Sequence, residues 1–115
     1  AHEWIRRALK MYLSREHRDA KAKSCPLTIL SAELTRMEEQ VSMPLLEYTQ
    51  YFAHVLERRL LLISSDNKDL AYPLMAMCMG AVQLARLEKD EIRSLKILND
   101  SYEAALRLIR HRRGL

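Results

Sequence analysis

The side chains able to do chemistry in this chain are few and poorly placed to act together. His2, His17, His54 and His111 are scattered, and Cys25 and Cys78 stand 53 positions apart. No HxxxH, CxxC or ExxH pair sets two ligands on one helix face, so no metal site is expected. Two glycines cannot build a phosphate-cradling loop. Carboxylates such as Glu33, Glu38, Glu39 and Glu103 suit helix caps and surface pairs, and no apolar-framed pair points to acid–base work. The chain therefore reads as non-enzymatic and without a cofactor. Cys25, before Pro26 at a helix start, is a candidate for a reactive thiol; burial as a small hydrophobe is the competing reading for both cysteines. His54 reads as a solvated helix residue.

What must position any functional surface is apolar helix. The stretch LAYPLMAMCMGAVQLARL, residues 70–87, has only Gln83 and Arg86 as strongly polar interruptions. A helix apolar all round must be covered all round. The unbroken apolar run from Leu70 to Val82 is 13 residues, short of the roughly 20 that span a bilayer, so no membrane is involved. A chain of 115 residues can cover such a helix on about two sides, which leaves one side for a second subunit. Gly80 costs about 1 kcal/mol against alanine in mid-helix, so it marks a close backbone approach, either between subunits or within one.

The other segments read in order as helices. His2 to Leu13 places Ile5, Ala8, Leu9 and Tyr12 on one face, and Arg15 to Lys23 is too charged to bury and reads as a surface loop. Ser24, Cys25 and Pro26 open a short second helix ending near Arg36 to Glu39. Ser42 and Pro44 open a third, running to about Ile63, with Leu45, Tyr48, Phe52, Val55 and Leu56 inward. SSDNKD, residues 64–69, is a turn with Asp66 or Asp69 available to cap the central helix, and Pro73 implies a late start or kink there. A closing helix runs from Asp90 as cap to Arg113. Residues 1–115 thus form a single domain, all-α, a five-helix antiparallel bundle. The net charge of +4 comes from dispersed cations, which argues against direct nucleic-acid binding. Widely spaced cysteines and no visible signal peptide fit a cytoplasmic protein. Helical periodicity already running at the first residue, without an initiator methionine, reads as a fragment lacking an upstream part.

Three stretches carry a family likeness. YLSREHRD (Tyr12 to Asp19), SCPLTILSAELTR (Ser24 to Arg36) and MGAVQLARLEKDEIRSLKIL (Met79 to Leu98) resemble, in order and spacing, the C-terminal ligand-binding and dimerisation domain of TetR/AcrR-type transcriptional regulators. The resemblance implies a homodimer in which the last two helices form a four-helix bundle, and a small-molecule effector that makes a repressor release operator DNA. The N-terminal helix-turn-helix of that family is absent from this chain, so DNA would be bound only through a missing domain. Interface candidates are Tyr72, Ala76, Met79, Gly80, Gln83 and Leu87 on the central helix, with Leu95, Leu98, Tyr102, Leu106 and Ile109 on the last. For a ligand cavity the candidates are Trp4, Leu30, Met37, Tyr48, Tyr51, Phe52, Met75 and Cys78; ordinary core packing explains the same residues. The alternative from another class is a free-standing helical protein–protein interaction module.

Overall fold

A computed structural model describes residues 2–20 and 39–111, and among these every regular element is helical. Helix α1 spans His2–Tyr12, α2 Arg15–Asp19, α3 Glu39–Ile63, α4 Ala71–Leu87 and α5 Glu91–Leu108, with a 3-10 turn at Ser65–Asn67 between α3 and α4. The five helices are not the five expected. The short α2 replaces an expected loop, and the helix predicted from Ser24 lies outside the described residues.

Helix α2 forms because Ser14 caps it. The Ser14 Oγ accepts the His17 N–H at 3.1 Å, satisfying one of the donors that a helix start leaves over. Arg86 closes the other end, its Nε donating to the Arg18 carbonyl at 3.0 Å and its Nη2 to that of His17 at 3.3 Å.

Helix α3 begins at Glu39, earlier than the Ser42–Pro44 start signal, and Pro44 lies inside it. As the sixth residue of the helix it lies past the first turn, so it gives up the bond to the carbonyl of residue 40 and crowds it, and the helix continues across it. Its inward stripe is Ala53, Leu56 and Leu60. Tyr48 and Phe52, expected inside, are 54% and 38% exposed. Phe52 precedes Ala53 by one residue, about 100° round the helix, which moves it to the flank.

Neither acidic turn residue caps α4. Asp69 has φ 64°, a left-handed conformation in which Asp is among the better-tolerated residues. This reversal makes Leu70 the N-cap, with no side-chain bond. Pro73 sits in the first turn of α4, where its missing N–H would have no partner in any case, so the helix neither starts late nor needs a kink there. Asp90 does cap α5, its Oδ1 accepting from the N–H of Ile92 at 2.9 Å and of Arg93 at 3.3 Å.

Helix α5 stops at Leu108, short of the Arg113 expected, because Asn67 seizes the next backbone. Asn67, 1% exposed, accepts the Arg110 N–H on Oδ1 at 2.7 Å. Its Nδ2 donates to the carbonyls of Arg110 at 2.9 Å and Leu60 at 3.1 Å. One buried amide therefore holds together the end of α3, the 3-10 turn and the segment after α5, all its polar atoms paired.

The core runs through Ile5 and Leu9 of α1, Leu56 and Leu60 of α3, Leu74, Met75, Cys78, Val82 and Ala85 of α4, and Leu98 and Ala105 of α5. The α4–α5 hairpin is the most closely packed pair. The molecule measures 47 × 38 × 18 Å, so its thin dimension accommodates about two helix diameters. Among the described residues, such a slab leaves one side of α4 open.

Candidate functional site

The uncovered side of α4 is a continuous stripe. Tyr72, Ala76, Gly80, Leu84 and Leu87 recur every three or four residues and are all exposed, Leu84 by 58% and Leu87 by 76%. Met79 and Gln83 flank the stripe half-buried. No charged residue belongs to it, and Ile92, 80% exposed, stands just across the turn. A β-carbon placed on Gly80 would have nothing within 4 Å. Among the described residues, therefore, nothing within the protomer requires glycine there.

The interface residues expected on α5 behave differently. Leu98 and Ile109 are 2% and 3% exposed inside the core, so within one chain they offer a partner no surface. Leu95, Tyr102 and Leu106 are half-buried and pack on the same core. Leu84 and Ile92 were missed, although Leu84 follows Gly80 by the same step of four that links Ala76 to it. The exposed apolar surface here is thus one stripe of α4 extended by the α4–α5 turn.

That turn is braced by polar groups that composition hid. Arg18, whose side chain is 9% exposed, donates from Nη1 to Glu91 Oε1 at 2.7 Å and to Ser94 Oγ at 2.8 Å. Its Nε donates to Asp19 Oδ1 at 2.8 Å. Ser94, 1% exposed, donates in turn to the Ala85 carbonyl at 2.7 Å, one of the last carbonyls of α4 that lacks a helical partner. Hydrogen bonds from Arg18 hold the Asp19 and Glu91 carboxyls below the usual carboxylate range. Beside this tie, His17 stacks on Tyr12 with ring centroids 4.4 Å apart, its Nδ1 buried without a partner. Burial pushes its pKa below the ordinary 6.5. The run Arg15 to Lys23 was too charged to predict as packed, yet Arg18 is.

The ligand-cavity candidates do not converge. Met75 and Cys78 are 8% and 6% exposed within the filled core, and burial pushes the Cys78 thiol up to about 11, away from reactivity. Tyr51 is 69% exposed and, with Tyr48 and Phe52, belongs to the outer part of α3. Trp4 packs on the core edge with the Arg59 guanidinium 4.7 Å over its ring. Leu30, Met37 and the candidate thiol Cys25 lie outside the described residues. Two open clefts exist instead. One, of about 340 Å³, lies between α1 and α5 and is lined by Lys10, Leu13, Arg15, Leu98, Tyr102 and Glu103 among others. The other, of about 390 Å³, lies between α3 and the start of α4 and includes Gln50, His54, Glu57, Asp69 and Tyr72. Among the described residues no three His, Cys, Asp or Glu side chains converge on a metal position, and no helix is long and apolar enough to cross a membrane.

No family model matches this chain, and no curated protein or solved structure is detectably similar to it.

Proposed function

We propose that this chain is the effector-sensing and dimerisation domain of a TetR-like transcriptional repressor, non-catalytic and cytoplasmic, with operator DNA bound through a separate helix-turn-helix domain. The observation that carries the reading is the uncharged, exposed stripe on α4 centred on Gly80. A mid-helix glycine costs about 1 kcal/mol, and among the described residues nothing inside the protomer requires it; the backbone of a second copy crossing there supplies a reason. In an isologous pair each copy offers the same stripe, so Gly80 of one approaches Gly80 of the other and Leu84 and Leu87 are buried twice. Exposed Tyr48, Tyr51 and Phe52 give a planar apolar effector a surface on α3. Displacement of α1 by an effector would be felt at the α4–α5 turn, because the Arg18–Ser94 tie joins the segment after α1 to that turn.

The reading is tested by fusing the chain to a phage repressor DNA-binding domain that needs a dimerisation partner to hold its operator. Repression that is restored by the parent chain and lost with Gly80→Leu is expected; an inactive parent fusion that is expressed and folded would overturn it. In parallel, a thermal-shift screen of planar apolar compounds is expected to yield a stabilising one.

A further inference from the structure

Helix α2 is held in place by polar contacts rather than by packing. None of its five residues is buried, and a helix this short has little stability of its own in water. Three things dock it. The Arg86 guanidinium donates to the carbonyls of His17 and Arg18, Arg18 ties it to Glu91 and Ser94, and the His17 ring lies against Tyr12 with centroids 4.4 Å apart. A segment joined by few apolar contacts opens at a lower cost than the core unfolds.

At the centre of this joint is a histidine with no place for a second proton. His17 Nδ1 is buried without a hydrogen-bond partner. Protonation would set an N–H donor there with no acceptor, and a charge beside Arg86, the cation that α4 presents to the ring. From α1 the ring meets Tyr12, whose backbone hydrogen bond favours the charged form without outweighing burial. The carboxylate that α5 brings to α2, Glu91, is taken by Arg15 and Arg18. On α2 itself Glu16 is exposed, and Arg18 is paired with Asp19. Among the described residues, no carboxylate is set to offset a charge on the ring.

We infer that α2 is a proton-released clasp: protonation of His17 in mild acid makes α2 open from the end of α4 and from the α4–α5 turn, while the core of α3, α4 and α5 stays folded. The undocked ring titrates near 6.5 and the docked one lower, so docking is at full strength above 6.5 and weakens as the pH falls through the docked value. Asp19 and Glu91 stay ionised in that range because Arg18 holds both carboxyls low, so the Arg18 tie opposes release and the clasp opens transiently.

The test is amide hydrogen exchange of the whole chain at pH 7.5 and pH 5, corrected for the intrinsic pH dependence of exchange and repeated in low urea. The reporters are the amides of His17, Arg18 and Ala20, bonded to Ser14 Oγ, the Ser14 carbonyl and the His17 carbonyl. Their protection is expected to fall between the two pH values by up to about thirtyfold, the limit for a ring that titrates at 6.5 when undocked and not at all when docked. It should be nearly independent of urea, since local opening exposes little surface, whereas protection of core amides such as that of Leu98 should fall with urea. His17→Gln, which cannot take up the proton, should remove the pH dependence at α2. His2→Gln, which removes the other described imidazole with a buried unpartnered nitrogen, should leave it intact. Protection at α2 that is equal at both pH values, that carries the urea dependence of the core, or that keeps its pH dependence in His17→Gln would overturn the inference. The first two outcomes are read on the parent chain and need no variant to fold.

Discussion

Replacing Asn67 by alanine should be among the most damaging single changes to a polar side chain in this molecule. The amide makes three hydrogen bonds, to Leu60 and twice to Arg110, from a position 1% exposed. The Leu60 carbonyl keeps a second donor, the Ser64 N–H at 3.2 Å, so its loss is partial. The Arg110 backbone loses both partners but lies near the surface, where water can replace some of what is lost. At about 1 kcal/mol net per bond, the expected cost is about 3 kcal/mol. With a urea slope of about 1–3 kcal/mol per molar, the midpoint should fall by about 1–3 M. Trp4 is the single tryptophan and packs at the core edge, so its fluorescence reports the transition. The comparison is made at two protein concentrations, because association would add its own stabilisation. Asn67→Asp should be worse than alanine at neutral pH, since a carboxylate cannot donate to the two carbonyls, and should recover partly in acid. A midpoint for Asn67→Ala within about 0.3 M of the parent would refute the claim that this amide holds α3, the turn and the end of α5 together.

Two further outcomes follow from the tie at the α4–α5 turn. Ser94→Ala leaves the Ala85 carbonyl without a partner in a buried site and should cost about 1–2 kcal/mol, read from the same urea transition; an unchanged midpoint would remove Ser94 from the account. Acid should weaken the fold in two stages. His17 is depressed below 6.5 by burial, so its contribution is fully present above that value and is lost as the pH falls through its lower folded pKa. Glu91 and Asp19 are depressed by Arg18, so their contribution is present above the ordinary carboxylate range and fails only at lower pH. Urea midpoints measured from pH 8 to pH 3, with His17→Gln expected to flatten the upper stage, check this; a midpoint rising as the pH falls from 7 to 5 would contradict the sign.

What the sequence disclosed followed the strength of its local signals. Asp90 was legible as a cap because a short acidic side chain stood between two strongly periodic segments. The open side of α4 was legible because a long apolar run outstripped what one short chain can cover. Residues 15–19 were not, since Arg18 is buried only through Asp19, Glu91 and Ser94, two of them more than seventy positions away. Nor was the role of Asn67, in a turn that reads as solvent, because its value lies in a backbone 43 residues on. Tyr48 and Phe52 failed as core candidates because several residues of α3 are apolar on more than one arc, and periodicity alone could not choose between them. The dimer, the effector and the regulatory role stand as proposals, resting on the stripe and on family resemblance.

Sedimentation equilibrium on the parent chain and on Gly80→Leu bears most directly on the dimer. Burying Tyr72, Leu84 and Leu87 of both copies gives about 6–12 kcal/mol gross against an association cost of about 4 kcal/mol or more, so the expected dissociation constant is micromolar at the tightest. The parent should therefore rise from the 13.5 kDa of one chain to twice that mass over about 1–100 μM. Gly80→Leu should stay at one chain's mass over that range while remaining folded. A parent that stays monomeric throughout, or a Gly80→Leu variant that dimerises equally well, would contradict the account.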